Sequence, residues 1–373
     1  MTPVGLWELV GYFLRLGSFG FGGPIALAGY MQRDLVSRKW ITEEEYGEGL
    51  AFAQMMPGPL AAQLAMWIGY IRHGFIGASL VGLVFVLPPF AIVIVVAMLY
   101  VKYNGLPVVQ ALFYGIGPAV IAIVALSSIR LASKTVARDV RMWIIFATIA
   151  VITFVSRTEI ALLFVLAGGI GILLYAPPWK RKPRQLAFLL PIVGAGVAGS
   201  STLARLAEFF IKAGAFTFGS GLAIVPFLHQ GVVLDYQWLN ERQFLDAVAV
   251  GIITPGPVVI MAAFVGYLVD GLLGAVVAAT AVFLPVYLFV LFIGRYIIRH
   301  RTNPSLRAFV RGATAAASGA IAGASVVLGE GSIINIPTAL IALSSLVALW
   351  RFKIPEPLLI GAAALAGVLL YKR

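Results

Sequence analysis

The chain has 373 residues, of which 61% are hydrophobic and only 11% charged, against the roughly 25% charged residues of ordinary soluble domains. That composition excludes a standard soluble fold and points to an all-α polytopic membrane protein. The formal net charge of +12 does not indicate nucleic-acid binding, because the cations sit in short clusters between apolar runs and form no basic stripe.

Residues 4–37 form an apolar, glycine-rich segment that the sequence interrupts at Gly22-Gly23-Pro24. Proline removes a helical hydrogen bond, and glycine allows close backbone approach. The N-terminus lacks the basic n-region and small-residue cleavage site of a signal peptide, so this segment is expected to persist in the mature protein. A polar stretch follows with Arg33, Arg38, Lys39 and Trp40. Residues 46–71 are interrupted by Pro57-Gly58-Pro59, and each flank is too short to cross ~30 Å of hydrocarbon. A re-entrant pair of half-helices is expected there.

Full spans are predicted over 75–103, kinked at Pro88-Pro89, and over 107–131. A basic loop with Arg130, Lys134, Arg138 and Arg141 precedes two shorter spans, near 142–156 and 159–175. The strongest cationic run, Lys180-Arg181-Lys182-Pro183-Arg184, leads into one further apolar segment, 186–200. The reading divides the chain into a membrane repeat over 1–178, a connector over 179–203 and a second repeat over 204–373.

The second repeat restates the first. Gly17, Phe19, Phe21 and Gly22 recur as Gly214, Phe216, Phe218 and Gly219. Trp40 recurs as Trp238, and Pro57-Gly58-Pro59 as Pro255-Gly256-Pro257. The cations reverse between copies: the poor loop 102–106 corresponds to the basic 295–307, and the basic 130–141 corresponds to 329–336, which has no cation. Because Lys and Arg favour cytoplasmic loops, this reversal predicts two inverted-topology repeats, with 186–200 supplying an odd crossing between them. Nine to twelve helical elements are expected to cross or enter the bilayer.

Phe19-Gly20-Phe21-Gly22-Gly23-Pro24, the Arg38-Lys39-Trp40 turn with acids after it, and Met56-Pro57-Gly58-Pro59 together resemble the chromate ion transporter family, long-chain two-domain type. The resemblance covers nearly the whole chain. It implies export of chromate across a prokaryotic cytoplasmic (inner) membrane by a multi-pass secondary transporter, driven by proton-motive force. Sulfate is then the natural competitor. The second copy departs from the pattern, with Gly219-Ser220-Gly221 replacing Gly22-Gly23-Pro24.

A tetrahedral dianion that loses water needs fixed donors. A half-helix that starts after a Pro-Gly-Pro break offers free N–H groups and about half a positive charge. The substrate-binding candidates are therefore the backbone at Gly58, Leu60 and Ala61, and at Gly256, Val258 and Val259. The side chain of Gln63 and the close-approach positions Gly22, Gly23, Gly219 and Ser220 complete this set. For the glycines, tight packing of small residues is an equally good reading. Arg15 and Lys212 occupy equivalent positions inside apolar stretches, where a cation is costly and by default functional, with snorkelling to the interface as the bland reading. Glu48 and Asp246 are equivalent acids nine residues before Pro57 and Pro255, and with His229 they are the candidates for proton coupling. Structural pairing of either acid with Arg15 or Lys212 explains the same residues.

No cofactor or metal is expected: no ligand spacing, phosphate loop or nucleophile motif occurs, and the chain has no cysteine. Expected partners are a chromate or sulfate anion, protons and membrane lipid, with a homodimer allowed. An anion channel, an intramembrane enzyme and a purely structural role are the competing readings. Only three histidines and no nucleophile constellation weigh against the enzyme.

Overall fold

The computed structural model of the chain describes residues 4–103, 106–136, 139–157, 161–177, 201–217, 221–300, 302–352 and 354–371. Regular structure among the described residues is entirely helical. The first half comprises α1 (Leu6–Phe19), α2 (Gly23–Ser37), α3 (Glu43–Met55), α4 (Leu60–Tyr103), α5 (Pro107–Val136), α6 (Val140–Ser156) and α7 (Ala161–Tyr175). The second comprises α8 (Thr202–Phe216), α9 (Ile224–His229), α10 (Glu241–Ile253), α11 (Met261–Leu288), α12 (Gly294–Arg299), α13 (Pro304–Ser332), α14 (Ile336–Val347) and α15 (Glu356–Leu370). Four stretches are long and apolar enough to span a bilayer: 60–103, 107–133, 258–296 and 304–332. The basic run 180–184 and the connecting segment 186–200 lie outside the described residues.

Local chemistry sets the helix ends alike in both halves. Thr42 accepts from the Glu45 N–H at 3.1 Å, while the Glu45 carboxylate accepts from the Thr42 N–H at 2.9 Å. Asn240 and Gln243 form the same reciprocal cap at the start of α10, at 2.9 and 3.1 Å. Neither α4 nor α11 is one rod. Non-helical torsions at His73 and Gly74, where φ is +58°, fold α4 back on itself, and Asp270-Gly271 does the same in α11. Across each turn two backbones touch: a Cβ on Gly69 would lie 2.4 Å from the Gly77 carbonyl, and one on Gly266 would lie 2.3 Å from that of Gly274. The long arm of α4, 75–103, then reaches about 43 Å by helical rise. Pro88 and Pro89, where a kink is expected, lie inside this arm. Both prolines lie within helix, no non-helical torsion marks them, and the break falls at His73-Gly74. Neighbouring helices can satisfy the carbonyls that such prolines free.

Small residues let the helices pack at backbone distance. Gly17 of α1 abuts the Phe85 carbonyl of α4, and Gly214 of α8 abuts the Val282 carbonyl of α11. The halves also exchange partners: α5 packs on α14 and α15, while α13 packs on α6 and α7. The long helices α5 and α13 run antiparallel to each other. Gly117 lies beside Ser332 and Gly329 beside Ile121, and Arg311 donates to the Val136 carbonyl at 3.4 Å.

At the α5–α15 crossing a Cβ on Gly115 would sit 1.9 Å from the Ala363 carbonyl, whereas Gly361 on the outer face of α15 has nothing within 4 Å. Gly115→Val should therefore destabilise the detergent-solubilised protein by about 1–3 kcal/mol through overpacking. Gly361→Val should leave its thermal midpoint unchanged, and equal midpoints for the two variants would contradict this packing.

Candidate anion site and its flanking cavity

The two Pro-Gly-Pro corners meet the C-terminal ends of α8 and α1. Gly58, at φ +128°, donates its N–H to the Thr217 carbonyl at 2.5 Å; Gly256, at φ +86°, donates to the Gly20 carbonyl at 2.9 Å. Thr217 and Gly20 are the C-caps of α8 and α1. Gly58 and Gly256, expected to present their N–H groups to an anion, direct them to protein carbonyls in this structure. Each closes the other half's helix end, because an orphan terminal carbonyl buried at that place needs a donor.

The residues that follow behave differently. Leu60, Ala61, Val258 and Val259 are buried, and no backbone carbonyl among the described residues accepts their N–H groups. Buried unpaired N–H groups are rare in folded proteins and call for a physical reason. Gln63 turns away from such a role: its Nε2 donates to the Pro57 carbonyl at 2.6 Å, bracing the corner, while its buried Oε1 has no partner. Gly22 and Gly23, at φ +107° and +73°, shape the first break, and α2 starts at Gly23 with Pro24 in its first turn. The Pro24 ring reaches within 3.6 Å of where a Cβ on Gly221 would lie, so the two breaks touch. Gly219 and Ser220 lie outside the described residues.

A cavity of about 790 Å³ opens between α1 and α2 and reaches the break at Gly20 and Phe21. Four charged side chains line it: Glu8, Arg15, Asp34 and Arg38. Asp34 accepts from Tyr12 Oη at 3.4 Å and from Arg33 at 3.1 Å. Arg38 stacks over Trp40 at 5.0 Å and over Tyr12 at 5.9 Å. Arg15 makes no hydrogen bond or ion pair among the described residues, so its guanidinium fork is available to a ligand.

The second half does not mirror this. Lys212 and Arg15 are both exposed, but Lys212 is paired with Glu208 at 2.6 Å, one helical turn away. Position 208 corresponds to Gly11 in the first half, so Arg15 has no such neighbour. Aromatic rings fill the space beside α8. Phe209 stacks on Phe227 at 5.3 Å and meets Trp238 edge-on at 5.8 Å, and Tyr236 stacks on Trp238 at 4.3 Å.

The titratable candidates also part company. Asp246 is buried and accepts from Tyr100 Oη at 2.7 Å, whereas Glu48 is half-buried. His229 is buried with Nε2 at 2.9 Å from both oxygens of Glu241. Its counterpart Gln32 meets Glu43 in the same way at 3.2 Å, so an equivalent contact occurs in both halves. Two residues were missed from the sequence. Tyr100 has no polar counterpart, since position 297 is Ile. Glu356 begins α15 with a carboxylate oxygen 3.9 Å from where a Cβ on Gly23 would lie. The signal for Glu356 was present in Glu159, the acid at the matching place before α7, which itself lies outside the described residues. No cluster of three or more potential metal ligands occurs among the described residues.

The family model described as chromate transporter matches residues 7–172 and 204–368, one stretch in each half. The chain belongs to the chromate transporter family. The chain is 51% identical to a chromate transport protein of Cupriavidus metallidurans, over 98% of this chain and 93% of that one. It is 50% identical to a probable chromate transport protein of Synechococcus elongatus, over 99% and 96%. An uncharacterized transporter of Methanocaldococcus jannaschii is 30% identical over 75% and 73%. No solved structure matches the chain. Family membership and the long apolar helices together make this chromate transporter family member a multi-pass membrane protein.

If the His229–Glu241 contact is a brace, His229→Gln should reproduce the Gln32–Glu43 geometry and keep both the thermal midpoint and transport. His229→Leu should lower the midpoint, since it removes the hydrogen bond between the buried residue 229 and the exposed Glu241 carboxylate. Loss of transport in a stably folded His229→Gln variant would instead assign His229 a proton.

Proposed function

We propose that the protein exports chromate from a prokaryotic cytoplasm across the cytoplasmic membrane, drawing on the proton-motive force. In this reading two oppositely inserted halves enclose one site where their broken helices meet. The antiparallel course of α5 and α13, which hold equivalent places in the two halves, supports opposite insertion. So does the reversal of basic loops between the halves. The names of the relatives at 51% and 50% identity support chromate as the anion.

The observation that carries the reading is the unpaired Arg15 in a cavity that ends at the first helix break. A dianion entering there exchanges water for a planar guanidinium fork, and the fork can hold two of its oxygens at once. Beyond the break, the unpaired N–H groups at Leu60, Ala61, Val258 and Val259 lie at positive helix ends, poised for a guest that moves inward. The cavity mouth is bordered by Ser37, Arg38 and Trp40, beside the basic loop assigned to the cytoplasm. The open first half and the aromatic-filled second half then describe a state that loads from inside. Export of a dianion from a negative interior gains about 4.6 kcal/mol per 100 mV, from about 2.3 kcal/mol per charge. Sulfate shares the shape and charge of chromate and competes for the same donors.

Energised everted vesicles containing the protein should accumulate labelled chromate, excess sulfate should compete, and a protonophore should abolish uptake. Accumulation that persists under protonophore would remove the energy coupling. Arg15→Ala should lose transport by an order of magnitude or more while inserting normally, consistent with loss of a charge-assisted bond of about 1.5–3 kcal/mol. Lys212→Ala should transport at near the wild-type rate. Equal losses in the two variants would refute the asymmetry between the halves.

A further inference from the structure

One intramembrane acid is used by nothing described so far. Glu356 is half-buried at the start of α15 and has no hydrogen-bond or ion-pair partner among the described residues. Its depth follows from packing: Gly115 of α5 faces Ala363 and Gly367 of α15, and Ala111 faces Gly367, so the two helices are antiparallel. Seven residues back from Ala363, Glu356 lies opposite about residue 122, close to the midpoint of the thirty-residue α5. At that depth its carboxylate stands beside Gly23, the first residue of α2 after the break where the cavity ends.

The charged groups around it are few. On α5 the guanidinium of Arg130 reaches Glu356 electrostatically, but its Nη2 donates to the Leu349 carbonyl at 2.9 Å. On α10, Asp246 is tied to Tyr100, and Arg242 donates to the Gln110 carbonyl at 3.3 Å. Neither α14 nor the rest of α15 carries a charge, and α2 carries none before Arg33; the segment leading into α15 carries Arg351, whose guanidinium lies 6.0 Å over the Phe352 ring, and Lys353, which lies outside the described residues. An acid in the first turn of its own helix has a bland role, favourable interaction with the dipole. That role does not account for an unpaired acid in mid-membrane at the edge of the break, where ionisable groups are costly.

We propose that Glu356 is the proton-linked residue of the anion site, taking up one proton when a tetrahedral dianion binds at the first break. This rests on the anion site proposed above. A dianion beside an ionised carboxylate meets like-charge repulsion at short range in a poorly screened environment, so binding favours the protonated acid. One negative charge is gained for every proton-neutralised site, and the membrane potential still drives the complex outward. Glu356 acts on the anion through charge, not by ligating it.

The test is isothermal titration of chromate into the purified protein in lipid nanodiscs, in buffers of different ionisation enthalpy across a pH series. Wild type should take up close to one proton per anion, and its apparent Kd should rise up to tenfold per pH unit where Glu356 is ionised in the unliganded protein. Glu356→Gln should bind chromate with no proton uptake and a flat pH profile, while Asp246→Asn should keep the wild-type uptake. Should Glu356→Gln fail to fold, Glu356→Asp retains an acid. Infrared difference spectra on chromate addition should then show a protonated-carboxyl band in wild type that shifts in Glu356→Asp. Binding without proton uptake in wild type, undiminished uptake in Glu356→Gln, or an unshifted band overturns the proposal while leaving the anion site standing. Absence of chromate binding in wild type overturns both.

Discussion

Two backbone hydrogen bonds join the halves at the places where each is broken: Gly58 N–H to the Thr217 carbonyl, and Gly256 N–H to the Gly20 carbonyl. A helix that stops inside a membrane leaves carbonyls that neither water nor lipid can satisfy, and each such group costs several kcal/mol. Here the donor comes from the corner of the other half, so neither half closes its own break. The reciprocity has a structural consequence. The broken helices exist only as a pair, and any movement of one half against the other must keep or exchange these two bonds. The swapped packing of α5 on α14 and α15, and of α13 on α6 and α7, extends the same dependence outward to the periphery.

Within this nearly two-fold frame, a few side chains create a difference between the halves. Phe209, Phe227, Tyr236 and Trp238 fill the second half at stacking distances. Their counterparts in the first half are Tyr12, Tyr30, Arg38 and Trp40, with Arg38 lying over the rings of Tyr12 and Trp40. Rings pack against rings and exclude water; a guanidinium carries its hydration and holds a gap. The same contrast applies to the cations. Glu208 pairs with Lys212 one turn away, while the glycine at position 11 leaves Arg15 without an acid at that spacing. On the function proposed above, a dianion would approach from the Arg15 side and lose its water against fixed donors there.

Acidic groups are distributed to match. Asp246 is buried behind a tyrosine hydroxyl, His229 holds Glu241, and Thr42 with Arg72 holds Glu45. Each of these acids has a hydrogen-bond or ion-pair partner. Glu356 is satisfied by nothing among the described residues and lies where the first break ends, beside Gly23. Structural acids and a candidate proton carrier are thus separated by hydrogen bonding, not by depth.

Much of this was legible in the chain before any coordinates. Low charge and long apolar runs determined the membrane class, since hydrocarbon admits little else. Repeated Gly, Pro and Trp at matching intervals determined the duplication, and Pro-Gly-Pro determined where helices stop, because a missing N–H or a left-handed φ is a property of the residue itself. Partners are not such a property. That Gly58 and Gly256 spend their N–H groups on the opposite half was decided only by tertiary structure. So were the filling of one cavity by aromatic rings and not the other, the union of Tyr100 with Asp246, and the arrival of Glu356 beside Gly23. The backbone bonds between halves, the Tyr100–Asp246 pair and the Glu356–Gly23 approach each join residues more than a hundred positions apart, and a sequence read along its length carries no term for such a meeting.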